Sequence, residues 1–193
     1  MNTRITRREF VAGVACAGAA CAAIAGKLTA QETDAAKNEN LVAPCGLYCG
    51  ACTAIRAGSG AKKSPMGNMT CNGCLGGGQL TAHASQCAIR ECAINKSKTR
   101  RCSECPEFPC SLITDFNNHG VPHHAEVLEN LRQLQTMGIT DWTKHEENRW
   151  RCSKCQTMLS WYDAECPDCK NSRSDKLFPL GKPFGKPKVT AKS

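Results

Sequence analysis

The chain has 193 residues with 16 cysteines, a formal net charge of +8 and only 5% aromatic residues. A leader of about 25 to 30 residues would leave roughly 165, enough for one domain and a small appendage and too few for a large enzyme. Residues 1–30 carry Arg4, Arg7, Arg8 and Lys27 against Glu9, five more lysines fall in the last eighteen residues, and no Arg/Lys stripe with interleaved aromatics is present, so nucleic acid is not an expected partner.

The first element is a leader over residues 1–30. Thr6-Arg7-Arg8-Glu9-Phe10-Val11 resembles the twin-arginine signal, and the Ala/Gly-rich apolar run from Phe10 to Ala25 follows it. That run is too short and too weakly apolar to span a membrane, which takes about 20 strongly apolar residues. The resemblance implies export in the folded state, a periplasmic or otherwise extracytoplasmic location, the twin-arginine export machinery as a partner, and no stable membrane span after cleavage. It also changes the meaning of the cysteines. Paired cysteines in a secreted chain ordinarily become disulfides, but a chain folded in the reducing cytoplasm receives its metal before it meets oxidants.

Residues 31–40 read as a polar linker, and the cysteine-rich body occupies 41–138. Short helices are predicted at 49–57, 85–96 and 109–116, separated by Gly-rich loops. From Pro122 the pattern turns helical, with Val127, Leu128, Leu131, Leu134 and Met137 on one face and Gly138 as the stop. A second short helix over 141–147 follows. Thr157 to Tyr162 has strand-forming character and predicts the hairpin of a small β zinc-ribbon over 149–171. Residues 172–193 read as a basic, flexible tail. The stretch from Pro44 to Pro109 is rich in Cys, Gly, Ala, Ser and Lys, so its own apolar core is expected to be thin and metal ligation to supply the staples.

The sharpest chemical signal is Cys152-Ser-Lys-Cys155 followed ten residues later by Cys166-Pro-Asp-Cys169. Two such knuckles bring four sulfurs to one tetrahedral point, the arrangement zinc prefers at about 2.3 Å per Zn–S bond. A rubredoxin iron site shares the pattern but has Gly after each pair, where Gln156 and Lys170 stand here. The body carries ten more cysteines: Cys45, Cys49, Cys52, Cys71, Cys74, Cys87, Cys92, Cys102, Cys105 and Cys110. Ten thiolates exceed one ion, and a natural grouping joins Cys71 and Cys74 to Cys49 and Cys52, and Cys102 and Cys105 to Cys87 and Cys92, with Cys45 and Cys110 unassigned. A [4Fe–4S] centre is a further cofactor these spacings allow. Of the five histidines, His83 is the best candidate for a nitrogen ligand. Glu126, Glu129, Glu146 and Glu147 read as a solvated helix face, and no pair of carboxylates is placed for acid–base catalysis.

The groups Cys45-Gly-Leu-Tyr-Cys-Gly-Ala-Cys52, Cys71-Asn-Gly-Cys74, Cys87-Ala-Ile-Arg-Glu-Cys92 and Cys102-Ser-Glu-Cys105-Pro-Glu-Phe-Pro-Cys110, in this order, resemble a cysteine-rich prokaryotic family, domain-of-unknown-function family 3795, over about residues 41–135. The resemblance implies metal binding by these cysteines and assigns no reaction. The expected fold is therefore mainly α, a small metal-stapled cysteine-rich domain followed by a small β zinc-ribbon. The expected function is that of an exported metal-binding protein with an accessory or binding role, served by a redox or accessory protein partner. The rivals are an iron–sulfur electron carrier and a disulfide-rich secreted domain without metal.

Overall fold

Val127, Leu131 and Leu134 recur at helical spacing, and in a helix that spacing turns them toward one side. They form the inner face of the central helix in the computed structural model, which describes residues 39–58 and 71–180. The expected leader, almost all of the expected linker and residues 181–193 of the expected tail lie outside the described residues. Among the described residues the helices are α1 (Thr53–Gly58), α2 (Ala82–Ser85), α3 (Ala88–Glu91), α4 (Ser111–Asn117), α5 (Val127–Met137) and α6 (Ile139–Arg149). Single 3-10 turns stand at Cys49–Ala51, Cys102–Glu104 and Pro122–Glu126, and a π-turn at Cys92–Lys96 extends α3.

Helix α5 packs against α4, α6 and the turns Cys102–Glu104 and Pro122–Glu126. Of its expected apolar face, Leu128 is half-buried and Met137 is 39% exposed, because the chain reverses directly after it; Asn130 is buried instead. Gly138 makes the reversal. Its φ of 75° and ψ of 165° lie in a region that is essentially open to glycine alone. Its N–H donates to the Leu134 carbonyl and its own carbonyl accepts from the Trp142 N–H, so one residue closes α5 and opens α6. The reversal carries Trp142 and Trp150 inward, both fully buried.

One contiguous core results. Between residues 44 and 109 its members are few or small, chiefly Leu47, Tyr48, Ala51 and Ile89, while Ile113, Leu131, Trp142, Trp150 and Phe178 supply the bulk. The Tyr48 and Trp142 rings meet edge to face at 6.3 Å across this join.

Three expectations are corrected. No strand forms among the described residues: the ribbon hairpin is reduced to the single bridges Arg151 with Met158 and Glu165 with Ser172. The physical reason is local, since each segment folds back on itself around a cysteine pair and leaves no straight run for a ladder to extend. The flexible tail does not begin at 172, because Leu177 and Phe178 are each only 4% exposed and Phe178 packs edge to face on Trp150. The glutamates do not form one solvated face: Glu146 is buried, paired with Arg149, and accepts from the Trp150 indole N–H, while Glu126 pairs with the same Arg149.

Candidate metal centre

The two C-terminal knuckles have the same backbone, repeated fourteen residues apart. In the first, Cys152 N–H donates to the Thr157 carbonyl (2.8 Å), Gln156 N–H to the Cys152 carbonyl (2.9 Å) and Leu159 N–H to the Trp150 carbonyl (2.8 Å). In the second, Cys166 donates to Asn171 (2.8 Å), Lys170 to Cys166 (3.0 Å) and Arg173 to Ala164 (3.0 Å). Gln156 and Lys170, the residues in the places where glycine is usual, sit at φ of 62° and 59°. Both therefore adopt the left-handed geometry that the knuckle demands and that costs a side-chain-bearing residue about 1–2 kcal/mol.

The knuckles face each other. All four sulfurs, of Cys152, Cys155, Cys166 and Cys169, lie within 4.8 Å of one another. Cys152 and Cys169 stand 3.6 Å apart, Cys155 and Cys166 3.4 Å. A tetrahedron with bonds of about 2.3 Å has edges of about 3.8 Å, whereas a disulfide requires about 2.05 Å. The separations match the edges of a metal-sized tetrahedron, so the set fits one tetrahedral metal ion. Cys152 and Cys166 are buried and Cys155 is exposed, which places the site beneath a thin outer edge.

Polar side chains tie the two halves together. The Thr157 hydroxyl donates to Asp168 (2.7 Å) and lies 3.4 Å from the Cys155 sulfur, and the Asn171 side-chain amide donates to Ser153 (3.2 Å). Thr157 and Asn171 occupy the same position of their respective knuckles. Cysteine counting passes over them, but the shared offset of five residues from Cys152 and Cys166 marks them in the sequence. The Thr157 hydroxyl and N–H hold the Cys155 thiol down to about 6, and backbone N–H groups of Cys155 and Lys154 lower Cys152. At Cys169 the Asn171 N–H pulls downward, but burial and the sulfurs of Cys155, Cys152 and Cys166 prevail and push it up to about 12. Four thiols this close do not all ionise by themselves; a cation among them reverses that balance.

The ten body cysteines are all free thiols, and so are the four C-terminal ones. Among the described residues no three body thiols converge within 4.8 Å of one another; that closure is confined to the C-terminal set. They nonetheless fall into two neighbourhoods. Cys49 and Cys74 hydrogen-bond to each other, which raises Cys49 and lowers Cys74 to about 7, with Arg90 adding to the second effect. Cys52 lies near Cys71 and Cys74. Around Cys102 stand Cys110, Cys105, Cys92 and Cys87, and burial followed by these neighbours pushes its thiol up to about 12. Buried Cys45 lies between the two, facing Cys74, Cys87 and Cys102.

The residues accompanying these cysteines have structural duties. Gly46, at φ 79°, lets the loop press against Leu131, and a Cβ there would stand 2.8 Å from Leu131 Cγ. The Arg90 guanidinium donates to the Cys74 carbonyl (2.9 Å), and Ile89 beside it is buried. Cys102 N–H donates to the Pro44 carbonyl (2.9 Å), joining its turn to the loop of Cys45. Trp161 N–H donates to the Ala51 carbonyl (2.9 Å), so the C-terminal knuckles are fastened to the body. His83, the best candidate among the histidines for a nitrogen ligand, is exposed and belongs to no cluster of potential ligands among the described residues. His123 instead stacks on Trp161 at 4.3 Å and hydrogen-bonds the Tyr162 hydroxyl, and His124 lies buried 3.7 Å from Phe116. No helix among the described residues is long and apolar enough to cross a membrane.

These features define a cysteine-rich, mainly helical protein with, among the described residues, one four-thiol cluster that fits a metal ion. Residues 41–115 match the model of the family described as Protein of unknown function (DUF3795). The match holds the ten body cysteines and ends before α5. No curated protein and no solved structure matches the chain.

Proposed function

We propose that the protein is an exported metal-binding protein of accessory or binding role, in which Cys152, Cys155, Cys166 and Cys169 hold one zinc ion as a structural fastener. The observation that carries this is the closure of four sulfurs within 4.8 Å on two backbone-identical knuckles. Zinc suits four thiolates in a tetrahedron, and a site whose every position is filled by protein has no opening for a reacting water. The ion's work is then mechanical. It joins two short segments that no strand ladder holds, next to Trp150 and Leu159 of the core.

Export rests on the twin-arginine-like residues Arg7 and Arg8 and on the chemistry of a chain that benefits from loading in a reducing compartment. The partner expected on that ground is the twin-arginine export machinery, followed by a redox or accessory protein outside the cytoplasmic membrane. One experiment tests both parts: expression of the full chain with its leader intact, cell fractionation, and elemental analysis of the exported fraction. One zinc per C-terminal site, lost on Cys155→Ser and Cys169→Ser, is the expected result. Protein retained in the cytoplasm would contradict export, and zinc content indifferent to these substitutions would contradict the site.

A further inference from the structure

We propose that Cys92, Cys102, Cys105 and Cys110 form a second metal centre that takes a polynuclear iron–sulfur cluster rather than a single ion. These four thiols line a cavity of about 410 Å³. They reach it from three pieces of backbone: the π-turn Cys92–Lys96, the 3-10 turn Cys102–Glu104 with Cys105 at its end, and the residue before α4. The π-turn is an uncommon element that tends to mark functional positions, and here it begins at a cavity cysteine. Cys110, left unassigned by spacing, belongs to the set; Cys87, grouped with Cys92 by spacing, does not line the cavity.

The contrast with the C-terminal site decides the size of the occupant. There the sulfurs have closed to the edges of a tetrahedron around one ion. Here no three of the thiols lie mutually within 4.8 Å, and the space between them is open. A metal–sulfide core fills such a space and meets its cysteines at its corners, farther apart than the ligands of a lone ion. The walls suit a cluster as well. Ile89, Phe108 and Ile113 present apolar surface, which limits water, and the two charged residues of the lining, Lys96 and Glu107, offset each other.

The zinc reading stands on other cysteines, so the two can fail separately. The full chain is purified without oxygen and incubated with ferrous and ferric iron in equal parts and inorganic sulfide, and iron, acid-labile sulfide, zinc and visible absorption are measured. About four irons and four sulfides per chain with broad visible absorption are expected, as for a cubane cluster. Cys105→Ser and Cys110→Ser should lose most of the iron and sulfide while keeping the C-terminal zinc, which also reports that they fold. Cys87→Ser and Cys155→Ser should keep the cluster. In the wild-type chain, loading should slow alkylation of Cys92, Cys102, Cys105 and Cys110 at least tenfold and leave Cys87 unchanged, a readout that needs no variant. Iron bound without sulfide, no iron bound, a cluster that survives Cys110→Ser, or protection of Cys87 in place of Cys92 would each overturn the proposal.

Discussion

Gly46 shows how much a single residue in this fold must do. A methyl group there would meet the Leu131 side chain at 2.8 to 2.9 Å, at a φ of 79° that side-chain-bearing residues avoid. Both effects act in one direction, so Gly46→Ala is expected to cost about 2–4 kcal/mol in denaturant unfolding of the loaded protein; a change below 1 kcal/mol would show that the loop and α5 are not pressed together. The opposite sign is expected at the knuckles. Gln156→Gly and Lys170→Gly remove left-handed strain and should each stabilise by about 0.5–1 kcal/mol after the entropic cost of glycine, read as a higher unfolding midpoint with zinc bound. The strain was visible in the sequence only as two missing glycines. The duty of Glu146 was not visible at all, because its burial depends on Arg149 and the Trp150 indole meeting it from the next turn of α6.

At the scale of elements, helices α4, α5 and α6 were legible because periodicity and punctuation agree. Val127, Leu131 and Leu134 repeat at helical spacing, and Gly138 stops the run. The absent hairpin was misread for a definite reason: strand-forming residues at 157–162 imply a ladder only where the chain runs straight, and the knuckles bend it. The turn Pro122–Glu126 adds a dependence on pH. Burial first, then His119, lowers His124 to about 4, and burial first, then His124, lowers His123 to about 3. Above the ordinary histidine value of 6.5 both states are neutral and nothing changes. Below it the unfolded chain binds protons that the folded chain refuses, so stability falls as the pH drops from 6.5 toward 4. His124→Phe keeps a ring against Phe116 and should flatten the fall of unfolding free energy between about pH 6.5 and 5; an unchanged slope would show that the fall comes from other groups.

Over the whole molecule, cysteine spacing located the four-thiol cluster but said little about what supports it. Cys-x2-Cys pairs ten residues apart were sufficient to place four sulfurs at one point, since the reach of two tight knuckles leaves few other arrangements. The body was legible as two neighbourhoods and no further, because ten thiols in short helices and turns are positioned by contacts such as Arg90 to the Cys74 carbonyl and Cys102 to the Pro44 carbonyl. The knuckles also proved to share the core of the body through Trp150, Leu159 and Phe178. That large side chains sit there, and few lie between 44 and 109, explains how a cysteine-rich segment gains a core it does not itself supply. The proposed role of the thiolates at 152, 155, 166 and 169 is to grip one metal ion. X-ray absorption at the zinc edge of the zinc-loaded full chain tests it most directly: a first shell of four sulfurs at about 2.3 Å is predicted, and a shell containing nitrogen or oxygen, or a chain that takes up no zinc, would contradict it.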